Sequence, residues 1–205
     1  MRHPIQEPLR IREQSRLDRL YTAKARNQSG QFATPFELAY QIVEYTRTLW
    51  SPSRRIDFLE PAMGTGAFYS ALKAGFDPAQ IASATGVELD PQIADAANQI
   101  WKNDNIAIHH GDFTQLDPST LSNLILTNPP YVRHHHLSLE QKHTLQARVH
   151  HQLGLRVSGL AGFYVYFLLL ADRWLAEDGL SVWLVPSEFM DVNYGAVLRH
   201  YYRNR

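Results

Sequence analysis

The feature that most narrows what this chain can fold into is a repeated order: a short apolar run, a tight turn, a stretch of helical periodicity, then another apolar run. Ile56-Asp57-Phe58-Leu59 reads as a strand that leads into Glu60-Pro61-Ala62-Met63-Gly64-Thr65-Gly66 and a helical stretch over 67–74. A second strand is expected over 84–88, a helix over 91–101, and a third strand over 106–109 that ends at Gly111-Asp112-Phe113. Leu124-Ile125-Leu126-Thr127 is a fourth strand and runs directly into Asn128-Pro129-Pro130-Tyr131. The apolar segment 163–174 has the length of a helix, and a last strand is expected over 180–185. Strands alternating with helices through short connections predict an α/β fold, a mostly parallel sheet with helices on both faces. Ahead of it, Thr34-Pro35 has the form of a helix start, a cap and then a first-turn proline, with apolar residues at helical spacing from Phe36 to Leu49 or Trp50.

The chain has 205 residues, 44% of them apolar, which suffices for one domain with a buried core. No apolar run reaches the roughly 18 residues of a membrane span, and the N-terminus lacks the apolar segment of a signal peptide. A cytoplasmic protein without a membrane partner is therefore expected. The absence of cysteine excludes disulfides, thiolate metal sites and a Cys nucleophile. Lys and Arg number 20 against 20 Asp and Glu, but this neutrality conceals a division. Residues 1–26 carry seven basic and three acidic side chains, which leaves the remainder net acidic by four. Residues 1–29 accordingly read as a basic arm, a solvated flanking segment rather than a helix, and residues 30–205 as the domain.

Parallel sheets bind ligands beyond the carboxyl ends of their strands, so the residues that follow each strand carry the functional information. Gly64 and Gly66 permit a tight turn and close backbone approach before a helix N-terminus. The spacing is neither Gly-x-Gly-x-x-Gly nor a Gly-Lys-Ser/Thr phosphate loop. Glu60 beside that turn disfavours a pyrophosphate and suits a cationic ligand. Glu88, at the end of the second strand, is placed to accept hydrogen bonds from two ribose hydroxyls. Asp112 can accept from an adenine amine, and Phe113 can cover the face of the base. An amine, an unphosphorylated ribose and an adenine together describe S-adenosylmethionine. After the fourth strand, the Asn128 side-chain oxygen and the Pro129 carbonyl can accept hydrogen bonds from one planar NH2 group. Consecutive prolines, Pro129 and Pro130, stiffen the backbone that aims them, and Tyr131 offers a flat stacking face.

In this order the segments resemble the amino-methyltransferases that carry an Asn/Asp-Pro-Pro-Tyr/Phe motif, and in particular the gamma-class adenine-N6 DNA methyltransferases of restriction-modification systems. The matching segments are Gly30-Gln31-Phe32-Ala33-Thr34-Pro35, Glu60 to Gly66, Glu88, Asp112-Phe113, Asn128-Pro129-Pro130-Tyr131, and Gly162 to Phe189. The resemblance implies a Rossmann-like class I S-adenosylmethionine-dependent methyltransferase. It implies methyl transfer, without metal or covalent intermediate, to the N6 amine of an adenine flipped out of double-stranded DNA. It assigns the amine to Asn128 and Pro129, with Pro130 and Tyr131 completing the catalytic loop. Cofactor contacts fall to Thr34, Glu60, Pro61, Ala62, Gly64, Gly66, Glu88, Asp112 and Phe113. In the gamma class a further hairpin and a target-recognition domain follow, so residues 30–205 are expected to be the catalytic portion, with recognition supplied by another domain or by a subunit in trans.

Six of the ten histidines lie between 134 and 151, among Arg133, Lys142, Arg148 and Arg156 with the single acid Glu140. The stretch reads as a polar surface loop or a DNA-backbone contact; three adjacent histidines on an extended backbone cannot converge on one ion. Two alternatives stay open: methyl transfer to another planar amine, a protein glutamine or an RNA adenine, and a non-catalytic cofactor-binding module that works through a partner chain.

Overall fold

A computed structural model of the chain describes residues 4–22, 25, 30–191 and 195–204. Arg2, Lys24 and Arg26 of the expected basic arm lie outside the described residues. The sheet has strands β1 (Ile56–Glu60), β2 (Ile81–Glu88), β3 (Ala107–His110), β4 (Ser122–Thr127) and β5 (Leu175–Trp183). All neighbours are parallel, in the order β3-β2-β1-β4-β5. β5 starts five residues before the expected 180, because Leu175 already pairs with Ser122.

The alternation of side chains along each strand divides the core between the two faces. Phe58, Leu124 and Leu126 pack with α2 (Phe36–Leu49), α3 (Ala67–Gly75) and α4 (Pro91–Trp101) on one face. Leu59, Ile125 and Val87 point the other way, onto Phe113, Phe167 and Trp174. Phe167 belongs to α6 (Phe163–Ala171), whose apolar length is buried between the sheet and α5 (Leu139–Leu153). α7 (Ala196–Arg203) adds Leu198 to that second cluster. No described helix is long and apolar enough to cross a membrane.

Three expectations need correction. The N-terminal segment is not a solvated flank: Glu7–Asp18 forms helix α1, which lies against α4 and the turn after β1. Its weakly amphipathic sequence concealed the fact that it buries Glu7 and Arg10, as a bonded pair, together with Leu17. The polar stretch after β4 is largely helix α5, started by a Ser138/Gln141 capping box and ended by Gly154 in the left-handed region. Leu145 and Val149 supply its buried face. At the start of α2, Pro35 rather than Thr34 is the cap residue, and the Thr34 hydroxyl is used elsewhere.

Candidate active site

Because every strand is parallel, the turns after β1, β2, β3 and β4 gather along one edge. The strand order reverses between β1 and β4, and a crevice opens where their connections diverge. The glycine turn leaves β1 on one side of that point and the Asn-Pro-Pro-Tyr loop leaves β4 on the other. A cleft of about 980 Å³, counting its open mouth, lies there.

Of the expected cofactor residues, Pro61, Ala62, Gly64, Glu88, Asp112 and Phe113 line this cleft. Glu88 is nearly buried, and its carboxylate is held in a fixed pose: Oε2 accepts from the Gly64 amide at 2.8 Å and Oε1 from the Asp90 amide at 2.9 Å. Burial raises its pKa, while these backbone donors oppose the rise. Asp112 Oδ1 accepts from the Thr114 amide and hydroxyl, so the carboxylate is oriented by its own turn. Phe113 is packed against Phe167 at 5.1 Å between ring centroids. The described lining contains Asp18, Glu88 and Asp112 and no Lys, Arg or His, a surface for a cationic ligand rather than a phosphate.

Three expected cofactor residues stand elsewhere. Glu60 turns inward from the end of β1 and is 2% exposed, with its carboxylate accepting from the Phe68 and Tyr69 amides in the first turn of α3. It satisfies helix donors that would otherwise be buried without partners. Burial raises its pKa to about 8, against the opposing pull of those amides. Gly66 shapes the turn: its φ is +86°, and a Cβ there would fall 2.6 Å from Trp101 Nε1. Thr34 is not in the cleft wall, and its Oγ1 accepts from Asn128 Nδ2 at 3.1 Å.

A pH dependence follows from Glu60. Its carboxyl titrates near 4.5 when unperturbed and near 8 in the folded chain, so the native state holds a proton that the unfolded state has released. Stability is expected to fall as pH rises from about 5 to 8. Glu60→Gln should flatten that slope, read by urea unfolding at pH 5.5 and 8.5. An unchanged slope would show that Glu60 is ionised throughout.

The Asn-Pro-Pro-Tyr loop sits between two clefts. Asn128 and Pro130 face the first, while Tyr131 faces a second, shared with Phe32 and the Arg133–His136 turn. Asn128 Nδ2 donates to the Phe32 carbonyl and to Thr34, both at 3.1 Å. Its Oδ1 is buried without a partner. Tyr131 donates its hydroxyl to the Leu184 carbonyl at 2.7 Å, and burial pushes its pKa up to about 12, which leaves it a neutral positioning group. Pro129 is buried and lines neither cleft.

Residues 30–34 hold the loop from behind. Gly30 accepts from the Tyr131 amide, and a Cβ on it would meet that nitrogen at 2.4 Å; its φ of +66° also favours glycine. Phe32 stacks on Tyr131 at 5.9 Å and borders both clefts. Phe32, Phe163 and the α1 residues of the cleft wall were not among the expected site residues. An aromatic side chain inside the 30–35 motif was a readable signal for the first. For the α1 residues there was none, since their positions depend on how the helix packs. Arg148, one of the cations in the stretch read as a polar surface loop or a DNA-backbone contact, is bound to Asp117 and the Leu116 carbonyl.

The sequence profile of the family described as Eco57I restriction-modification methylase matches residues 69–205. The chain is 31% identical to the type II methyltransferase M.XamI of Xanthomonas campestris pv. amaranthicola over 83% of its own length. It is 27% identical to the type II methyltransferase M.AccI of Acinetobacter calcoaceticus over 86%. It spans about a third of the length of each, 32% and 31%. Among solved structures, the type IIG restriction endonuclease BpuSI is similar over 96% of this chain and 24% of its own, with a TM-score of 0.74 at 17% identity. A protein of Listeria monocytogenes assigned to the class I S-adenosylmethionine-dependent methyltransferases is similar over 97% of this chain and 59% of its own, with a TM-score of 0.72 at 14% identity. The fold is that of the class I S-adenosylmethionine-dependent methyltransferases.

Proposed function

This chain belongs to the Eco57I restriction-modification methylase family, and on that footing we propose that it carries the catalytic core of an adenine-N6 DNA methyltransferase. Its cofactor in this reading is S-adenosylmethionine and its substrate an adenine flipped out of double-stranded DNA. Target recognition by a further domain or a separate subunit belongs to the same proposal, with residues 30–205 as the catalytic part.

The observation that carries it is the Asn128 oxygen, a buried acceptor without a donor, at the boundary of the two clefts. A buried acceptor left unpaired costs about 1–3 kcal/mol, and an entering N–H would remove that cost. The cleft suits the cofactor on the same terms: Glu88 fits two ribose hydroxyls, Asp112 and Phe113 fit an adenine, and the described lining has no cation to repel a sulfonium. S-adenosylmethionine, when bound, supplies an electrophilic methyl group on sulfur.

In this reading Asn128 Oδ1 accepts one N–H bond of the target amine at the cleft boundary, and the backbone carbonyl of Pro129, whose residue lines neither cleft, accepts the other once the base has entered. They orient its nitrogen toward the first cleft and favour a tetrahedral, nucleophilic geometry. Tyr131, steadied by its bond to Leu184 and by Phe32, offers a flat wall to the base. The amine nitrogen would need no base before attack, since its lone pair would form the new N–C bond as the sulfur–methyl bond breaks with its electron pair kept by sulfur, and the surplus proton would pass to water afterwards. No general base is therefore required of the loop, in keeping with a neutral Tyr131.

The test is incubation with labelled S-adenosylmethionine and unmodified DNA, with and without the companion recognition domain of a relative, followed by nucleoside mass spectrometry. N6-methyladenine is expected. N4-methylcytosine would move the specificity to another planar amine, and label in RNA or protein alone would overturn the DNA assignment.

A further inference from the structure

Helix α1 is joined to the glycine turn through side chains. Arg10 Nη1 donates to Thr65 Oγ1 at 3.2 Å, and Thr65 Oγ1 donates to Gln14 Oε1 at 2.8 Å. Gln14 Nε2 in turn donates to Asp18 Oδ1 at 2.9 Å. Just past the helix, the Tyr21 hydroxyl donates to Asp90 at 2.5 Å, and Asp90 caps α4 directly after the Glu88 strand end. Leu17 closes the gap by packing on Ile93 and Ala96 of α4. Gln14, Leu17, Asp18 and Tyr21 thereby line the first cleft together with Asn128 and Pro130 of the Asn-Pro-Pro-Tyr loop.

The carboxylates of the described cleft lining stand at different places on its wall. Glu88 and Asp112 both line it, and the reading proposed above assigns them to the ribose and the adenine. Glu60, the acid expected to face a cation, is turned into the core on helix amides. Asp18 is the remaining acid of the described lining, half-exposed on the wall and tied through Gln14 to the Thr65 hydroxyl of the glycine turn.

With S-adenosylmethionine as the occupant of this cleft, as proposed above, we propose that Asp18 of α1 is a cofactor-binding residue that pairs with the α-ammonium group of the amino-acid end. A carboxylate–ammonium hydrogen bond in a partly enclosed cleft is among the stronger polar contacts, and the Gln14–Thr65 link holds the carboxylate in place before the ligand arrives. The N-terminal segment thus belongs to the cofactor site.

The ligand series that tests this separates the amino-acid end from the rest. S-adenosylmethionine and S-adenosylhomocysteine carry the ammonium group, and 5′-methylthioadenosine lacks it. Binding of each is measured by titration calorimetry on the unsubstituted chain and on Asp18→Asn, which keeps an oxygen for Gln14. The variant is expected to weaken the first two by about tenfold and to leave 5′-methylthioadenosine within a factor of about two. Equal weakening of all three would mean that Asp18 only shapes the wall, and no change in any would remove it from the site; either overturns the assignment alone. Asp18→Ala, with its unfolding midpoint measured alongside, guards against a residual contact from asparagine and should give the same pattern. An unsubstituted chain that binds none of the three would instead overturn the cofactor reading and this one with it.

Discussion

Asn128→Ala is expected to lower the single-turnover rate of methyl transfer on the order of 10²–10³-fold while leaving S-adenosylmethionine affinity within a few fold. The expectation rests on how the amide is held. The Phe32 carbonyl can only accept, so the nitrogen of Asn128 faces it, with Thr34 as its second partner, and the oxygen is the atom left for a ligand. That oxygen is buried and unpartnered. As the target nitrogen attacks, its N–H bonds gain positive charge, so an acceptor fixed in advance binds the transition state better than the ground state. The loss should therefore fall on the rate and little on KM for DNA. Asn128→Asp separates the parts of this account: it keeps an acceptor and can take a hydrogen bond from Thr34, but sets a carboxylate against the Phe32 carbonyl. Its rate should lie between those of the parent and the alanine variant. An alanine variant within tenfold of the parent would remove Asn128 from the reaction.

What the sequence made legible is set by which interactions are local. The strand ends were readable because parallel strands buried on both faces are continuous apolar runs, and the residues that interrupt them, Glu60-Pro61, Glu88, Asp112 and Asn128-Pro129, mark the edge where a ligand would sit. The α4 boundaries were readable for a related reason: Asp90 caps its own helix and Pro91 starts it. Glu60 shows where this logic stops. Its place beside the glycine turn was evident, but whether its side chain faced the cleft or the first turn of α3 depended on which unpaired donors lay nearer in three dimensions. Thr34 is a similar case, a cap by sequence that serves as a partner of Asn128, a residue 94 positions away. The stretch after β4 was misread because six histidines and several cations draw attention to the surface, whereas Leu145, Val149 and the Ser138/Gln141 capping box already carried a helix signal.

Helix α1 was the least legible element and yields the second large effect. Glu7 and Arg10 are both almost fully buried, and their side chains form a two-pronged pair, Nε to Oε2 at 2.8 Å and Nη2 to Oε1 at 2.6 Å. Ser70 of α3 donates to the same carboxylate at 2.5 Å, and Arg10 reaches Thr65. Arg10→Met should cost about 3–5 kcal/mol of α1 docking, because it leaves the Glu7 carboxylate buried without its cation. A 12-residue helix has little stability of its own, so α1 should unfold where it detaches rather than drift as a rod. The loss is expected as faster amide hydrogen exchange over residues 7–18, with the sheet core still protected. The double variant Glu7→Leu/Arg10→Met replaces both charges with apolar groups of comparable bulk and should recover most of the protection, since the pair contributes chiefly by each partner neutralising the other. If the single and double variants exchange equally fast, the pair matters only as packing. Since α1 carries Gln14 and Asp18 to the cleft wall, the single variant should also weaken S-adenosylmethionine more than 5′-methylthioadenosine, and the double variant should restore that difference along with the helix.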